Sequence, residues 1–375
     1  MIPDPAPSPA RFDIFLVATP GLEQPLAAEV RALGFVPDIQ PGGVTVQGDW
    51  SDVRLLNLRL RSATRVLARI GQFRAMHLAQ LDKRARKFPW SDMLRPDVPV
   101  RVDTTTHASR IYHAGAATQR IARALTEELG ATVADDAPVT LKIRIDDDLV
   151  TISVDTTGES LHKRGHKPAI GKAPMRETMA AAFLWQMGFD GSQPVLDPMC
   201  GSGTFVIEAA EIAAGLAAGR SRGFAFEHLA LHDPALWAAE RPAPPLPATG
   251  PVRFWGRDRD AGAIRMSREN AERAGVGAST AFDCAAISDL VRPDGPPGVV
   301  IVNPPYGARI GNKGPLHGLH AAMGEVFRTR LTGWRVGIVT SEAGLARATG
   351  LPFLPPGPIV AHGGLKVRLW QTDPL

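Results

Sequence analysis

The chain has 375 residues, 44% of them hydrophobic and 21% charged, and a formal net charge of +4. That balance suits a globular protein with two or three cores, and it excludes a disordered polyelectrolyte. No apolar run approaches the ~18 residues of a membrane-spanning helix, and two cysteines, Cys200 and Cys284, give neither a disulfide framework nor a zinc pattern.

Residues 1–11 are proline-rich and lack a basic or apolar leader pattern, so a disordered tail and a cytoplasmic protein are expected. A strand over 12–18, a helix over 22–33 stopped by Gly34, a short strand over 44–46 and a helix over 50–62 follow from hydrophobic periodicity. Next come a strand over 65–73, a helix over 77–88 carrying Lys83, Arg84, Arg86 and Lys87, a strand over 98–102 and a long helix over 114–129. Residues 141–145 and 150–154 alternate apolar and polar around Asp146-Asp147-Asp148, which predicts a hairpin.

Charge is uneven along this half. Between residues 54 and 95 there are eleven Lys/Arg against two Asp, which leaves the rest of the chain acidic by about five. A basic block on an otherwise acidic chain points to a polyanion partner, against the blander reading of a solvated helix face. Residues 162–167 form a short basic linker; His107, His113, His162 and His166 lack metal-ligand spacing, so no metal is expected.

From residue 175 onward strands and helices alternate, which predicts a mostly parallel sheet covered on both faces. The stretch 194–210 is the centre of it. Val195-Leu196 ends on Asp197, the turn Gly201-Ser202-Gly203 follows, and Phe205, Val206, Ala209 and Ile212 then recur at helical spacing. Two glycines allow close approach of a ligand to the backbone, and the helix start offers free N–H groups. A carboxylate at the strand end would repel a pyrophosphate, so Asp197 suits a cationic ligand such as S-adenosylmethionine instead.

The helix of this loop is expected to run to about residue 218, and a proline-rich loop, functional or mobile, to span 219–250. A strand over 252–255 leads to Asp258, placed to bind ribose hydroxyls, with Arg259 beside it and Asp260 capping a helix over 261–274. Asp283 ends the third strand, where it can accept from an adenine amino group. The β-branched run 299–302 enters Asn303-Pro304-Pro305-Tyr306. The Asn303 side chain and the Pro304 carbonyl can both accept from one amino group, Pro305 stiffens the loop, and Tyr306 offers a flat face for a base. A helix over 316–331, a strand over 335–340 and a terminal hairpin around Gly363-Gly364 complete the chain.

Asp197-Pro198-Met199-Cys200-Gly201-Ser202-Gly203-Thr204 and Asn303-Pro304-Pro305-Tyr306 resemble the cofactor and amine loops of class I S-adenosylmethionine-dependent methyltransferases. With Leu161-His162-Lys163-Arg164-Gly165 and the opening Pro20-Gly21-Leu22-Glu23, the chain resembles THUMP-domain RNA guanine-N2 methyltransferases, most of all the N-terminal half of bifunctional 23S rRNA members. The resemblance implies a ferredoxin-like subdomain over 12–60, a THUMP RNA-binding domain over 61–158, a linker over 159–173 and a Rossmann-like α/β methyltransferase domain over 174–375. It also implies contacts from Lys163 and Arg164 to phosphate. Three rival readings stand beside it: a methyltransferase for DNA adenine N6 or a glutamine side chain, a tRNA guanine-N2 methyltransferase, and an RNA-binding assembly factor without catalysis.

Overall fold

The computed structural model describes residues 11–166, 175–241, 253–306 and 313–375. The N-terminal half comprises β1 (Phe12–Val17), α1 (Glu23–Ala32), β2 (Asp38–Gln40), β3 (Gly43–Gly48), α2 (Trp50–Arg59), β4 (Arg65–Arg74), α3 (Leu78–Arg86), β5 (Val100–His107), α4 (Ala114–Ala124), β6 (Val139–Asp146) and β7 (Leu149–Asp155). The C-terminal half comprises α5 (Glu177–Gln186), β8 (Val195–Asp197), α6 (Thr204–Ala213), α7 (Pro234–Glu240), β9 (Phe254–Asp258), α8 (Ala261–Arg273), β10 (Thr280–Cys284), β11 (Val299–Val302), α9 (Lys313–Arg330), β12 (Arg335–Thr340), α10 (Ala343–Ala348), β13 (Val360–His362) and β14 (Leu365–Gln371).

Seven strands of the first half form one sheet in the order β2-β3-β1-β4-β7-β6-β5. The sheet runs through the expected boundary at residue 60, because β4 pairs with β1 on one side and with β7 on the other. Its apolar face and that of α1 to α4 share a single core, from Ile14 and Leu16 to Ile143 and Ile152.

The second sheet has the order β10-β9-β8-β11-β12-β14-β13. Its first five strands are parallel, and β14 joins β12 antiparallel. Chain order leaves β8 outward through β9 and β10, then returns to β11 on β8's other side. That reversal is a topological switch point, and ligands of open α/β sheets sit outside the carboxyl ends of the strands there. The apolar runs of β8 and β11 are buried on both faces, as a parallel sheet requires.

The structure corrects several expectations. The helix of the cofactor loop stops at Ala213, where Gly215 takes φ 64° and turns the chain. Residues 217–241 are no loose loop: Phe224, Phe226, Leu229 and Trp237 are buried in the core of the N-terminal half. Phe224 stacks on Phe226 at 5.3 Å, and Trp237 meets both rings edge-on at 6.0 and 5.0 Å. Phe226 N donates to Thr156 O, and Gly219 N to Leu58 O. The segment straps one half to the other because its aromatics outweigh its turn-forming residues. The strand expected over 252–255 continues to Asp258, and β2 and α10 have too little periodicity to be legible. Residues 1–10 of the expected tail, the prolines after Arg241 and residues 167–173 of the linker lie outside the described residues.

Candidate active site

Four side chains named from the sequence end adjacent strands at one sheet edge. Asp197 of β8 is in register with Gly256 of β9, Asp258 is the last residue of β9, and Asp283 of β10 pairs with Arg257. Val300 of β11 pairs with Leu196, so Asn303 lies just past the level of Asp197 on the neighbouring strand. Asp197 and Asn303 therefore flank the switch point.

The glycine loop is held from three directions. Gly201 N donates to Asp258 Oδ2 at 3.0 Å, and Cys200 N to Arg257 O at 2.8 Å. Ser267 Oγ donates to Gly201 O at 2.9 Å and Asn270 Nδ2 to Ser202 O at 3.1 Å. Ser267 and Asn270, fully buried on α8, fix the turn from behind, and the sequence reading missed both. Their signal was a Ser-x-x-Asn pair on the apolar side of an amphipathic helix, where a polar residue needs a partner.

Gly203 caps α6 at φ 82°, and a Cβ there would stand 3.1 Å from Ser267 Oγ and 3.2 Å from Phe282. A Cβ on Gly201, at φ 55°, would meet nothing within 4 Å. One glycine is thus required by packing behind the loop and the other borders open space in front of it. Cys200 is buried with its thiol 3.8 Å from Ser267 Oγ, and burial pushes its pKa up; it fills the turn and is no nucleophile. Ser202 and Thr204 are buried, Pro198 lies in the turn after Asp197, and Arg259 is exposed with its carbonyl 3.6 Å from Cys284 Sγ.

Asp197 is 2% exposed, and burial pushes its carboxyl up to about 8, helped by the Asp258 carboxylate. Among the described residues Met199 N donates to it at 3.0 Å. Asp283 is exposed, 4.0 Å from Arg257. Asn303 Oδ1 is buried without a hydrogen-bond partner among the described residues, Pro304 is buried, Pro305 is exposed, and Tyr306 packs against the core beneath α5 and α6. A buried acceptor left empty costs free energy unless a ligand completes it. A desolvated carboxyl, a glycine cradle and an orphaned amide oxygen on adjoining strands fit a cationic amino-acid nucleoside on one side and an incoming amine on the other.

The basic block proves largely internal. Arg54, Arg61, Arg65, Arg69, Arg74, Arg86 and Arg95 each pair with a carboxylate. Arg86 alone meets Asp82, Glu127 and Glu128, so it does not belong with the expected phosphate contacts. Lys83 and Arg84 on α3 and Lys87 just past its end are exposed. Lys163 is exposed and reaches Glu159 at 2.6 Å.

Arg164 is a correction. It is 2% exposed, with Nε 3.0 Å from Glu208 and donors to the carbonyls of Leu161 and Arg61. Arg61 bridges Glu208 and Glu211 at 2.9 and 3.0 Å, while His166 and Arg220 reach Glu211 at 3.0 and 2.5 Å. Burial raises the Glu211 pKa, but the His166 hydrogen bond and the charges of Arg61 and Arg220 outweigh it and hold the group far below its usual range. Both glutamates lie on α6, so the N-terminal half and the linker are fastened to the helix that opens at Gly203.

The doubly wound sheet with its antiparallel β14 and the edge built around Asp197 define a class I methyltransferase. Residues 164–351 match the RMKL-like methyltransferase domain, and residues 13–67 match the RlmL ferredoxin-like domain. Ribosomal RNA large subunit methyltransferase K/L of Syntrophotalea carbinolica is 35% identical over 98% of this chain, and the chain spans about half the length of that relative, 54%. A predicted N6-adenine-specific DNA methylase from Listeria monocytogenes is 29% identical with a TM-score of 0.84, covering 98% of this chain and 97% of that one. SMU.472, solved in complex with SAH, is 28% identical with a TM-score of 0.84, covering 98% and 99%. The chain belongs to the RMKL-like methyltransferase family, whose cofactor is S-adenosylmethionine.

Proposed function

We propose that this chain transfers a methyl group to the exocyclic N2 amine of a guanine in RNA, with 23S rRNA as the first candidate, in the cytoplasm. The observation that carries the reading is the buried Oδ1 of Asn303 at the switch point, which has no hydrogen-bond partner among the described residues. An amide oxygen there, beside the Pro304 carbonyl, is an acceptor pair for an NH2 group. The name of the Syntrophotalea relative favours ribosomal RNA. The Listeria neighbour's name keeps DNA adenine as the rival, since the same loop accepts any planar amine.

S-adenosylmethionine, when bound, supplies an electrophilic methyl group on a sulfonium. Asp197 balances the ligand's ammonium, Asp258 and Asp283 are placed for ribose and adenine donors, and the loop from Pro198 to Thr204 shapes the cradle. Asn303 and Pro304 accept both N–H bonds of the amine, orienting it so that the nitrogen can move toward sp3 and its lone pair, perpendicular to the ring, localises toward the methyl group. Asparagine cannot accept a proton as a base, so the proton leaves to water after transfer. Tyr306 gives the extruded base a face to lie on. Exposed Lys83, Arg84, Lys87 and Lys163 supply phosphate contacts.

The test incubates the chain with tritiated S-adenosylmethionine and, separately, ribosomal RNA, tRNA and duplex DNA, followed by nucleoside analysis. N2-methylguanosine in ribosomal RNA is the expected product. Label in tRNA alone would move the substrate, label in DNA adenine would replace the reading, and cofactor binding without label in any of them would leave an RNA-binding assembly factor.

A further inference from the structure

We infer that the edge of the N-terminal half around Tyr112 is a stacking platform for a single-stranded RNA nucleotide; this rests on the RNA reading above. β4, β6 and β5 run in one direction, so Arg74, His107 and Asp146 at their ends line one edge. Between β5 and α4 the chain turns through residues 108–113, with Ala108 at φ 43°.

That turn is anchored. Arg110 N donates to Asp148 Oδ1 at 2.8 Å, Asp148 N to Ser109 Oγ at 3.0 Å, and Thr106 Oγ1 to Tyr112 O at 2.9 Å. His107 Nδ1 stands 2.8 Å from Asp146 Oδ1. A loop so firmly tied still leaves Tyr112 83% exposed, and neither its ring nor its hydroxyl has a partner among the described residues. The tyrosine does nothing for the fold that holds it out.

Its surroundings select the partner. Met76, 45% exposed, lies 3.2 Å from an Arg110 guanidinium nitrogen. The three carboxylates of the hairpin are each engaged by an arginine: Asp146 by Arg144, with His107 Nδ1 beside it, Asp147 by Arg74, and Asp148 by Arg110. The exposed histidines His77 and His113 complete the edge. Two apolar side chains among arginines and histidines are too little for a protein docking core. An aromatic face flanked by guanidinium groups, with the nearby carboxylates neutralised, is what an unpaired base and its phosphate require.

The experiment titrates the full chain with a labelled single-stranded RNA oligonucleotide across a range of salt. Tyr112→Ala is expected to weaken binding about ten- to a hundredfold with the salt slope unchanged, and Tyr112→Phe to bind as the wild type does. Arg110→Ala lowers the slope by about one phosphate contact. Binding of S-adenosylhomocysteine, measured alongside, stays unchanged in all three variants and shows that they fold. RNA affinity unaltered by Tyr112→Ala would overturn the platform alone. A wild-type chain that binds S-adenosylhomocysteine but no RNA would overturn the RNA reading and the platform together.

Discussion

Asp197 and Asp258 end neighbouring parallel strands, Asp197 in register with Gly256 and Asp258 two residues further along the same edge. Asp258 Oδ2 accepts from Gly201 N and Oδ1 from Asp260 N, which leaves each oxygen a second lone pair. Asp197 is buried, its carboxyl pushed up to about 8 first by burial and then by the Asp258 charge. One carboxylate shapes the loop, while the other is desolvated, an environment in which a cation would favour its charged form.

The folded value of Asp197 lies above its ordinary 3.8, so the cofactor-free chain holds more protons folded than unfolded between those two values. The contribution to stability is complete below about pH 4 and is lost as pH rises through about 8. The melting temperature without cofactor is expected to fall from about pH 4 to about pH 8, and Asp197→Asn to flatten that decline. Binding an ammonium-bearing ligand draws the proton off. Calorimetric titration with S-adenosylhomocysteine near neutral pH, repeated in buffers of different ionisation enthalpy, should register net proton release. Heats independent of the buffer would separate Asp197 from the ligand.

Asn303→Ala removes one of two acceptors for the amine and leaves the glycine cradle intact. Methyl transfer is expected to drop by roughly 10²–10³, the scale of losing one preorganised polar contact to a reacting group. Affinity for S-adenosylhomocysteine should stay within about threefold, since the amide binds the other reactant. Equal turnover of variant and wild type in a tritium-release assay would remove Asn303 from the chemistry.

Ser267→Ala and Asn270→Ala each free one loop carbonyl, Gly201 O or Ser202 O. A hydrogen bond of this kind contributes about 1 kcal/mol, so each change should weaken cofactor binding by about fivefold. Gly203→Ala should be worse: φ 82° is costly for any Cβ, and this one would lie 3.1 Å from Ser267 Oγ. Dissociation constants by calorimetry give the ranking, and a Gly203→Ala affinity above that of Ser267→Ala would contradict the packing argument.

Arg164→Met leaves Glu208 with Arg61 as its remaining cation. Removing one partner from a buried ion cluster costs about 3–5 kcal/mol, read as a lower denaturant midpoint. The salt slope of RNA binding should be unchanged, because Arg164 is buried. Neutralising Lys83, Arg84 and Lys87 together should do the reverse, lowering the salt slope by about two to three at little cost in stability. If Arg164→Met alters the slope without touching stability, the assignment of these two groups is inverted.

The glycine loop, Asp197 and the Asn-Pro-Pro-Tyr turn were legible because their chemistry is local: a short strand, a turn of small residues, two prolines. The alternating pattern of strands and helices after residue 175 gave the parallel sheet for the same reason. Ser267 and Asn270 were not legible, since each acts on a carbonyl more than sixty residues away. The Phe224–Phe226–Trp237 cluster was hidden by the prolines and turn residues around it.

What the sequence determined by itself was the local order of a strand-end carboxylate, a glycine turn and an Asn-Pro-Pro-Tyr loop, because these are written in residue type and spacing. Which cations face solvent only the tertiary structure decided. A run of arginines records charge but not its partners. Most of the basic stretch from Arg54 to Arg95 is paired with carboxylates from other parts of the chain, and Arg164 is buried against α6. Charge is fixed residue by residue, whereas neutralisation depends on which side chains the fold brings within a few ångströms of one another.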